Sequence, residues 1–568
     1  STPLYSSAAS DVYKRQPLGE WSEGLQDSKV VAIHACLLHT GKVLFFHCRS
    51  YPFWTRLYDP ETNEVLPQNY VVPKWPVIYD EEDPPYLIQP SKIFCSGHCF
   101  LQDGRLLVAG GELNSPYPDS YEPIAPERGL RYSFIFNPIP EEIEATPAVG
   151  FWKIAGSEEE PFIMIKGRWY PTLTLMNDGK VLTIAGKTDQ VIQNPFNPEE
   201  YSIALNSLVE IYDKDTGGSE IDNVDAYLPP GISYSYPQCH LIPLGPHSGI
   251  FFYAATQLYP DIQDPPEAVE GYSHIFNPYP GIEEDYWTPV SNKRLTPTEA
   301  ASGILMPLRL GTEDAKVIVV GGRWDDTKDR IDIINLADSS PSWTSDVQQL
   351  LYPRFNHNCI ILPDRSLLIL GGDFFEGTDP EVPVLIPELL DTDTMEWISQ
   401  DLPSLPFPRN YHSIAILLPS AKVLMGGGRV PDGGDSEDDT ERRFSIFTPG
   451  YLMDGDQPEI LSVPDVIYYN DTFPVELDGT YPVDSFALIK PGSVTHGIDM
   501  DQRYIELKGE MEIGPGPSPN YNVYDPENSN LAPPGYYMLF VLKKKTESNS
   551  GEWKIPSVAK FVKLEVAP

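Results

Sequence analysis

The stretch Leu101-Gln102-Asp103-Gly104-Arg105-Leu106-Leu107-Val108-Ala109-Gly110-Gly111 decides the fold. An apolar run ends at a two-residue polar turn, a second apolar run follows, and two glycines close it. Asp-Gly supplies the positive-φ corner of a tight hairpin, and the trailing glycines let inner strands crowd together near an axis. The same unit recurs along the chain. It reads Leu37-Leu38-His39-Thr40-Gly41-Lys42-Val43-Leu44 before this copy, and Met176-Asn177-Asp178-Gly179-Lys180-Val181-Leu182-Thr183-Ile184-Ala185-Gly186 after it. A degenerate fourth copy spans Leu241 to Ala255, and a fifth ends Val317-Ile318-Val319-Val320-Gly321-Gly322. The sixth runs from Leu362-Pro363-Asp364 to Gly371-Gly372, and the seventh from Leu418-Pro419-Ser420 to Gly426-Gly427.

Ordered copies at intervals of roughly 50 to 75 residues match kelch-type propeller blades with long inserted loops. The expected fold is all-β: a seven-bladed kelch-type β-propeller over 17–450, then an immunoglobulin-like β-sandwich over 451–568. The pattern changes near Phe447-Thr448-Pro449-Gly450-Tyr451-Leu452. Beyond it lie strand runs such as Phe486-Ala487-Leu488-Ile489 and Tyr536-Tyr537-Met538-Leu539-Phe540-Val541-Leu542. A tail of about 115 residues suits an immunoglobulin-like domain, here without an internal cysteine pair. Residues 1–16 read as a non-native leader and are set aside.

Composition agrees with short strands and tight loops. The 568 residues include 32 Tyr, 23 Phe, 10 Trp, 59 Pro and 42 Gly, and no long stretch has helical periodicity. The net charge of −42 repels nucleic acid and anionic membrane surfaces, and no apolar run reaches membrane-spanning length. The acidic runs at Asp80–Asp83, Glu158–Glu160 and Asp435–Asp439 read as solvated loop tips rather than calcium sites. Six cysteines are too few for a disulfide framework, and Cys95 and Cys99 have no matching second pair for a zinc site.

Five scattered segments carry chemistry. Phe94-Cys95-Ser96-Gly97 precedes the second hairpin, and Arg168-Trp169-Tyr170-Pro171-Thr172 the third. Arg409-Asn410-Tyr411-His412-Ser413 precedes the seventh. Thr495-His496-Gly497-Ile498-Asp499-Met500-Asp501-Gln502-Arg503 and Pro533-Pro534-Gly535-Tyr536-Tyr537-Met538-Leu539-Phe540 lie in the last domain. In this order and on these blades they resemble the copper radical oxidases, the galactose oxidase and glyoxal oxidase family, with motifs closer to glyoxal oxidase. The resemblance covers residues 30 to 568.

The resemblance implies one copper ion held by Tyr170, Tyr411, His412 and His496. It also implies a protein-derived radical cofactor, a thioether between Cys95 and Tyr170. Two imidazoles and phenolate oxygen suit a tetragonal Cu(II) site, and copper would hold Tyr170 as phenolate below the free tyrosine value of about 10. Metal and radical together store the two oxidising equivalents that an aldehyde or primary alcohol gives up. Tyr411 becomes the base that takes the substrate's hydroxyl proton, and O2 reoxidises the site and leaves as hydrogen peroxide. The implied partners are a small aldehyde or alcohol and O2, with a monomeric, secreted protein, no nucleic acid and no membrane insertion. The His496 loop is expected to reach up the propeller axis, which requires a large apolar interface between the domains.

Two segments depart from galactose oxidase. That enzyme stacks a tryptophan from just beyond the third-blade glycines over its modified tyrosine; here the region reads Ala185-Gly186-Lys187-Thr188-Asp189-Gln190, with no aromatic. Its substrate-binding arginine in the fourth blade has no counterpart in Tyr234-Ser235-Tyr236-Pro237-Gln238, so galactose is not the favoured substrate. Galactose oxidase's N-terminal carbohydrate-binding domain also has no counterpart in this sequence. His34, His98, His240, His357 and Cys99 are taken as structural. The competing function is a non-catalytic kelch-type adhesion or binding protein that kept the scaffold. A third is a closed site whose copper serves only stability.

Overall fold

Apolar runs separated by turn-forming residues give strands and almost nothing else. The structure, a computed structural model, describes residues 18–568 apart from 48–53, 68–69, 72–73, 77–87, 91, 114–127, 140–150, 157–160, 194–200, 221–225, 230–234, 255–272, 282–283, 293–299, 324–328, 376–381, 430–440, 454, 513–518 and 548–550. The leader at 1–16 and all three acidic runs lie outside the described residues.

Seven four-stranded antiparallel units occur among the described residues. Their first strands are His34–Leu37, Gly97–Phe100, Thr172–Leu175, Cys239–Leu241, Ser302–Leu305, Asn358–Ile361 and Ser413–Leu417. The fourth strand of the seventh unit comes from the other end of the chain: Glu20 pairs with Thr448, and Trp21 with Phe447. Glu20–Trp21 thus covers the Arg443–Thr448 strand and leaves only a two-residue strand at the outer edge of the last unit.

The turn signals work as the sequence implies. Gly104 and Gly179 hold φ of +85° and +82°. In the sixth and seventh units the same corner is taken by Arg365 and Ala421, at 74° and 62°. The trailing glycines have a sharper purpose than strand crowding. A Cβ on Gly110 would meet Arg168 O at 2.2 Å, one on Gly371 would meet Arg409 O at 2.5 Å, and one on Gly427 would meet Ala32 O at 2.4 Å. Each glycine makes room for the backbone that leads into the next unit, and Gly427 against Ala32 brings the seventh unit onto the first.

Buried arginines brace the same crossings. Arg168 donates to Ala185 O at 2.7 Å and to Glu210 Oε2 at 2.6 Å. Arg354 donates to Gly371 O at 3.1 Å and to Glu388 Oε1 at 2.8 Å. Arg409 donates to Gly427 O at 2.8 Å. In each case a guanidinium satisfies the carbonyl of its unit's second strand, a buried acceptor that would otherwise lack a partner.

The last domain has two sheets. One orders Ile460–Ser462, Thr472–Leu477, Asn520–Tyr524 and Gly509–Glu512; the other contains Val466–Tyr468, Lys560–Glu565, Gly535–Glu547, Val483–Ile489 and Tyr504–Leu507. Phe473, Val475, Leu488, Leu539, Val541 and Val562 fill the space between them. The middle of the other face of the second sheet packs against the propeller. Ala487, Ile489, Met538, Phe540 and Leu542 share one buried cluster with Ile361, Leu417 and Leu424 of the propeller, which is the apolar interface expected. Phe100 N donates to Asp501 Oδ2 at 2.8 Å, and Tyr504 Oη to Pro363 O at 2.9 Å. Lys490 pairs with Asp501 in the same buried layer.

Candidate metal centre

One backbone feature is repeated just before the first strands. Cys95, Tyr170, Tyr236, Ala300, Asn356 and His412 all have positive φ, between 46° and 70°. A side chain in this region costs about 1–3 kcal/mol and persists only where the surroundings fix it. Here neighbouring units fix one another: Tyr170 N donates to Cys95 O, Tyr236 N to Tyr170 O and Asn356 N to Ala300 O, each at 2.9 Å. Three of the five residues singled out in the sequence, Cys95, Tyr170 and His412, occupy this ring of left-handed positions.

His496 arrives from the last domain on a hairpin, Ser493–Thr495 with Ile498–Asp499. Its first strand pairs with the first unit, Thr495 opposite His34 and Ser493 opposite Cys36. His496 itself has φ 53°. Gly497 N donates to Ser413 O at 3.1 Å, and a Cβ at Gly497 would meet His357 O at 2.3 Å. The turn is therefore wedged among the propeller's inner strands.

The five side chains converge. Tyr170 Oη and Tyr411 Oη are 3.1 Å apart. The donor atoms of Cys95, His412 and His496 lie within 4.8 Å of one another, with Cys95 Sγ 3.4 Å from His496 Nε2. The His496 ring lies 5.5 Å from Tyr170, 5.3 Å from Tyr411 and 4.7 Å from His412, centroid to centroid. Cys95, Tyr170, His412 and His496 are buried, whereas Tyr411 is partly exposed.

Burial sets the electrostatics. It pushes the Tyr170 hydroxyl well above its ordinary value, and Cys95 and Tyr411 push it further. It holds His496 down at about 3, with His98 and Arg429 adding to the effect. A neutral imidazole is the form that binds a metal. The His496 tautomer is assisted by Thr495 Oγ1, 2.6 Å from Nδ1, which leaves Nε2 toward the cluster. Arg429 places its guanidinium 4.7 Å from the centre of the Tyr411 ring. Two imidazole nitrogens and two phenol oxygens around one point, with a thiol beside them, fit a Cu(II) donor set.

The galactose oxidase-like early set domain matches residues 457–564. Aldehyde oxidase GLOX of Vitis pseudoreticulata is 24% identical over 96% of this chain and 97% of that protein. The chain is similar along its whole length to a GLOX aldehyde oxidase, and its last domain to that of galactose oxidase. Galactose oxidase of Gibberella zeae is 32% identical, over 44% of this chain and 36% of that protein's length. A fungal alcohol oxidase of the AA5 family, solved with copper, covers 97% of this chain and 100% of its own, with a TM-score of 0.68 and 20% identity. That likeness is one of fold.

Three groups at the centre were not read from the sequence. Trp169, quoted there only within the Tyr170 segment, packs on Tyr170 with centroids 4.5 Å apart and planes at 45°, and Lys187 lies 4.9 Å over it. An aromatic cover over Tyr170 thus exists, supplied by the preceding residue rather than by the segment beyond the third-unit glycines. Tyr236 stands edge-on to Tyr170 at 5.0 Å and donates to Ser96 O at 2.9 Å. Its signal was present: Tyr236-Pro237 before the fourth first strand echoes Tyr170-Pro171 before the third. His34 is the third, with its ring 6.1 Å from that of His496.

Proposed function

We propose that this chain is a mononuclear copper oxidase that converts an aldehyde of the glyoxal type, or a primary alcohol, with O2 and releases hydrogen peroxide. The observation that carries the reading is the convergence of Tyr170, Tyr411, His412 and His496 from three parts of the chain, with Cys95 beside them. Those four residues would hold the ion, and Cys95 and Tyr170 would become the thioether-linked cofactor. Bound copper would take one of the two electrons that the oxidation releases.

The chain's own residues supply the rest. The joined Cys95–Tyr170 unit, once oxidised by one electron, would take the second electron, and its burial under Trp169 and Tyr236 keeps solvent from it. Tyr411 is the one ligand side chain with solvent access, so it can meet a substrate hydroxyl, or the hydrate of an aldehyde, and accept its proton. The short Tyr170–Tyr411 separation brings the proton acceptor and electron acceptor to the same substrate carbon. The Vitis similarity, which runs the length of both proteins, puts an aldehyde first. The strongly acidic chain favours small neutral substrates over polyanions. No helix among the described residues is long and apolar enough to cross a membrane, and we place the protein outside the cell as a monomer.

The test is peroxide release by the copper-loaded chain over a panel of aldehydes, primary alcohols and sugars. Peroxide with small aldehydes is the expected result. One copper bound per chain with no peroxide from any of them would move the kelch-type binding protein ahead.

A further inference from the structure

We infer that His34 is a positioning residue for Cys95, and that the line His34–His98–Ser493 makes docking of the last domain a condition for joining Cys95 to Tyr170. The inference rests on the oxidase reading above, in which that thioether forms.

One backbone amide at the centre is held differently from its equivalents. In the third, fourth and sixth units the N–H at the left-handed position donates to the carbonyl of the equivalent residue one unit earlier. Cys95 differs. Between the first and second units, the strand Ser493–Thr495 pairs along His34–Cys36, and Cys95 N donates to His34 Nε2 at 3.2 Å. An imidazole stands where those three units use a carbonyl.

That amide fixes every proton that follows. A backbone N–H can only donate, so His34 Nε2 accepts and its Nδ1 carries hydrogen. His34 Nδ1 lies 3.0 Å from His98 Nε2, which therefore accepts. His98 Nδ1 then donates to Ser493 Oγ at 2.6 Å, and Ser493 Oγ donates to His98 O at 3.1 Å. His34, His98 and Ser493 are all fully buried, so no water competes for these bonds. His34 is also clamped flat on Phe46, with centroids 4.5 Å apart and planes 3° apart.

The consequence for Cys95 is geometric. Its N–H is held by His34 and its carbonyl by Tyr170 N at 2.9 Å. With both polar groups held at φ 54°, the Cα–Cβ direction is set relative to the Tyr170 ring. Joining the two removes the thiol hydrogen and one ring hydrogen beside the phenol oxygen, forms a C–S bond, and passes two protons and two electrons to O2, giving hydrogen peroxide. The sulfur must meet one ring carbon, and misplacement by an ångström slows such a step by ~10²-fold. Ser493 belongs to the hairpin that also delivers His496, so one docking event completes the ligand set and aligns the thiol.

The test uses the full-length protein prepared without copper, as wild type, His34→Leu, His34→Gln and Ser493→Ala. After copper and air are supplied, peptide masses follow the loss of two hydrogens on joining, copper per chain is counted, and near-ultraviolet circular dichroism reports the fold. The expected result is that His34→Leu binds copper yet joins ~10²-fold more slowly. His34→Gln, whose carbonyl can accept the Cys95 amide, recovers most of the rate, and Ser493→Ala slows joining to a smaller extent. Joining of His34→Leu at the wild-type rate overturns the proposal, and so does a His34→Gln as slow as His34→Leu. If His34→Leu does not fold, Ser493→Ala decides by the same criterion of rate. A wild type that binds copper without joining sinks the oxidase reading itself, and this inference with it.

Discussion

The phenol oxygens of Tyr170 and Tyr411 stand 3.1 Å apart, although the two residues are separated by 241 positions. One is buried against Trp169 and Tyr236, and the other reaches solvent. Two identical side chains are thus given different work by their surroundings. Tyr411→Phe is expected to keep copper and the Cys95–Tyr170 bond while losing the proton acceptor. Peroxide release should fall by about 10²- to 10⁴-fold, with copper content unchanged by metal analysis. His496→Ala should instead lose the copper.

Gly497 tests whether the hairpin's wedged turn places His496. It holds φ +77°, and a Cβ would stand 2.3 Å from the carbonyl oxygen of His357. Gly497→Ala should cost about 1–3 kcal/mol in backbone strain and displace the neighbouring imidazole. The expected outcome is a large loss of copper affinity by titration with only a modest fall in melting temperature. Wild-type affinity would show that the turn does not position the ligand.

Arg168 links the scaffold to the centre, two positions before Tyr170. Its guanidinium and the Glu210 carboxylate are both buried, 2.6 Å apart. Removing one partner leaves an uncompensated interior charge, so Glu210→Leu should destabilise the protein by about 3–5 kcal/mol. The double variant Arg168→Met with Glu210→Leu should recover much of that, because the apolar pair leaves no charge behind. Thermal unfolding of the three chains measures the difference.

Much of this was legible. The Asp-Gly turns placed the second and third units, because a positive-φ corner leaves a mark on residue choice. Four of the five segments name Cys95, Tyr170, Tyr411, His412 and His496, whose side chains the fold brings together. The ring of left-handed positions was hidden, because it is filled by Cys, Tyr, Ala, Asn and His rather than glycine, held by bonds between units far apart in sequence. The same holds for the Arg168–Glu210 and Arg354–Glu388 braces, and for Glu20–Trp21 closing the seventh unit: long-range pairing leaves no local period. His34 and His98 could not be told from core histidines, since what distinguishes them is the Cys95 amide at the end of their line.

A pH dependence is expected from the last domain. Burial raises Asp525 to about 7, and the neighbouring Asp471 carboxylate adds to this. A carboxyl raised above its unfolded value of about 3.9 binds its proton more tightly in the folded state. Stability from this site is therefore greatest below pH 4 and is lost as pH rises through 7. Asp525→Asn should be more stable than wild type at pH 8 by at least about 1 kcal/mol. The two should converge near pH 4. Parallel melting curves across that range would contradict the assignment.

The most direct test of the central claim is a peptide mass map of the purified chain before and after copper and air. The Cys95 and Tyr170 peptides should become one species, lighter by two hydrogens than their sum, with one copper retained per chain. Separate peptides from a chain that holds its copper would contradict it.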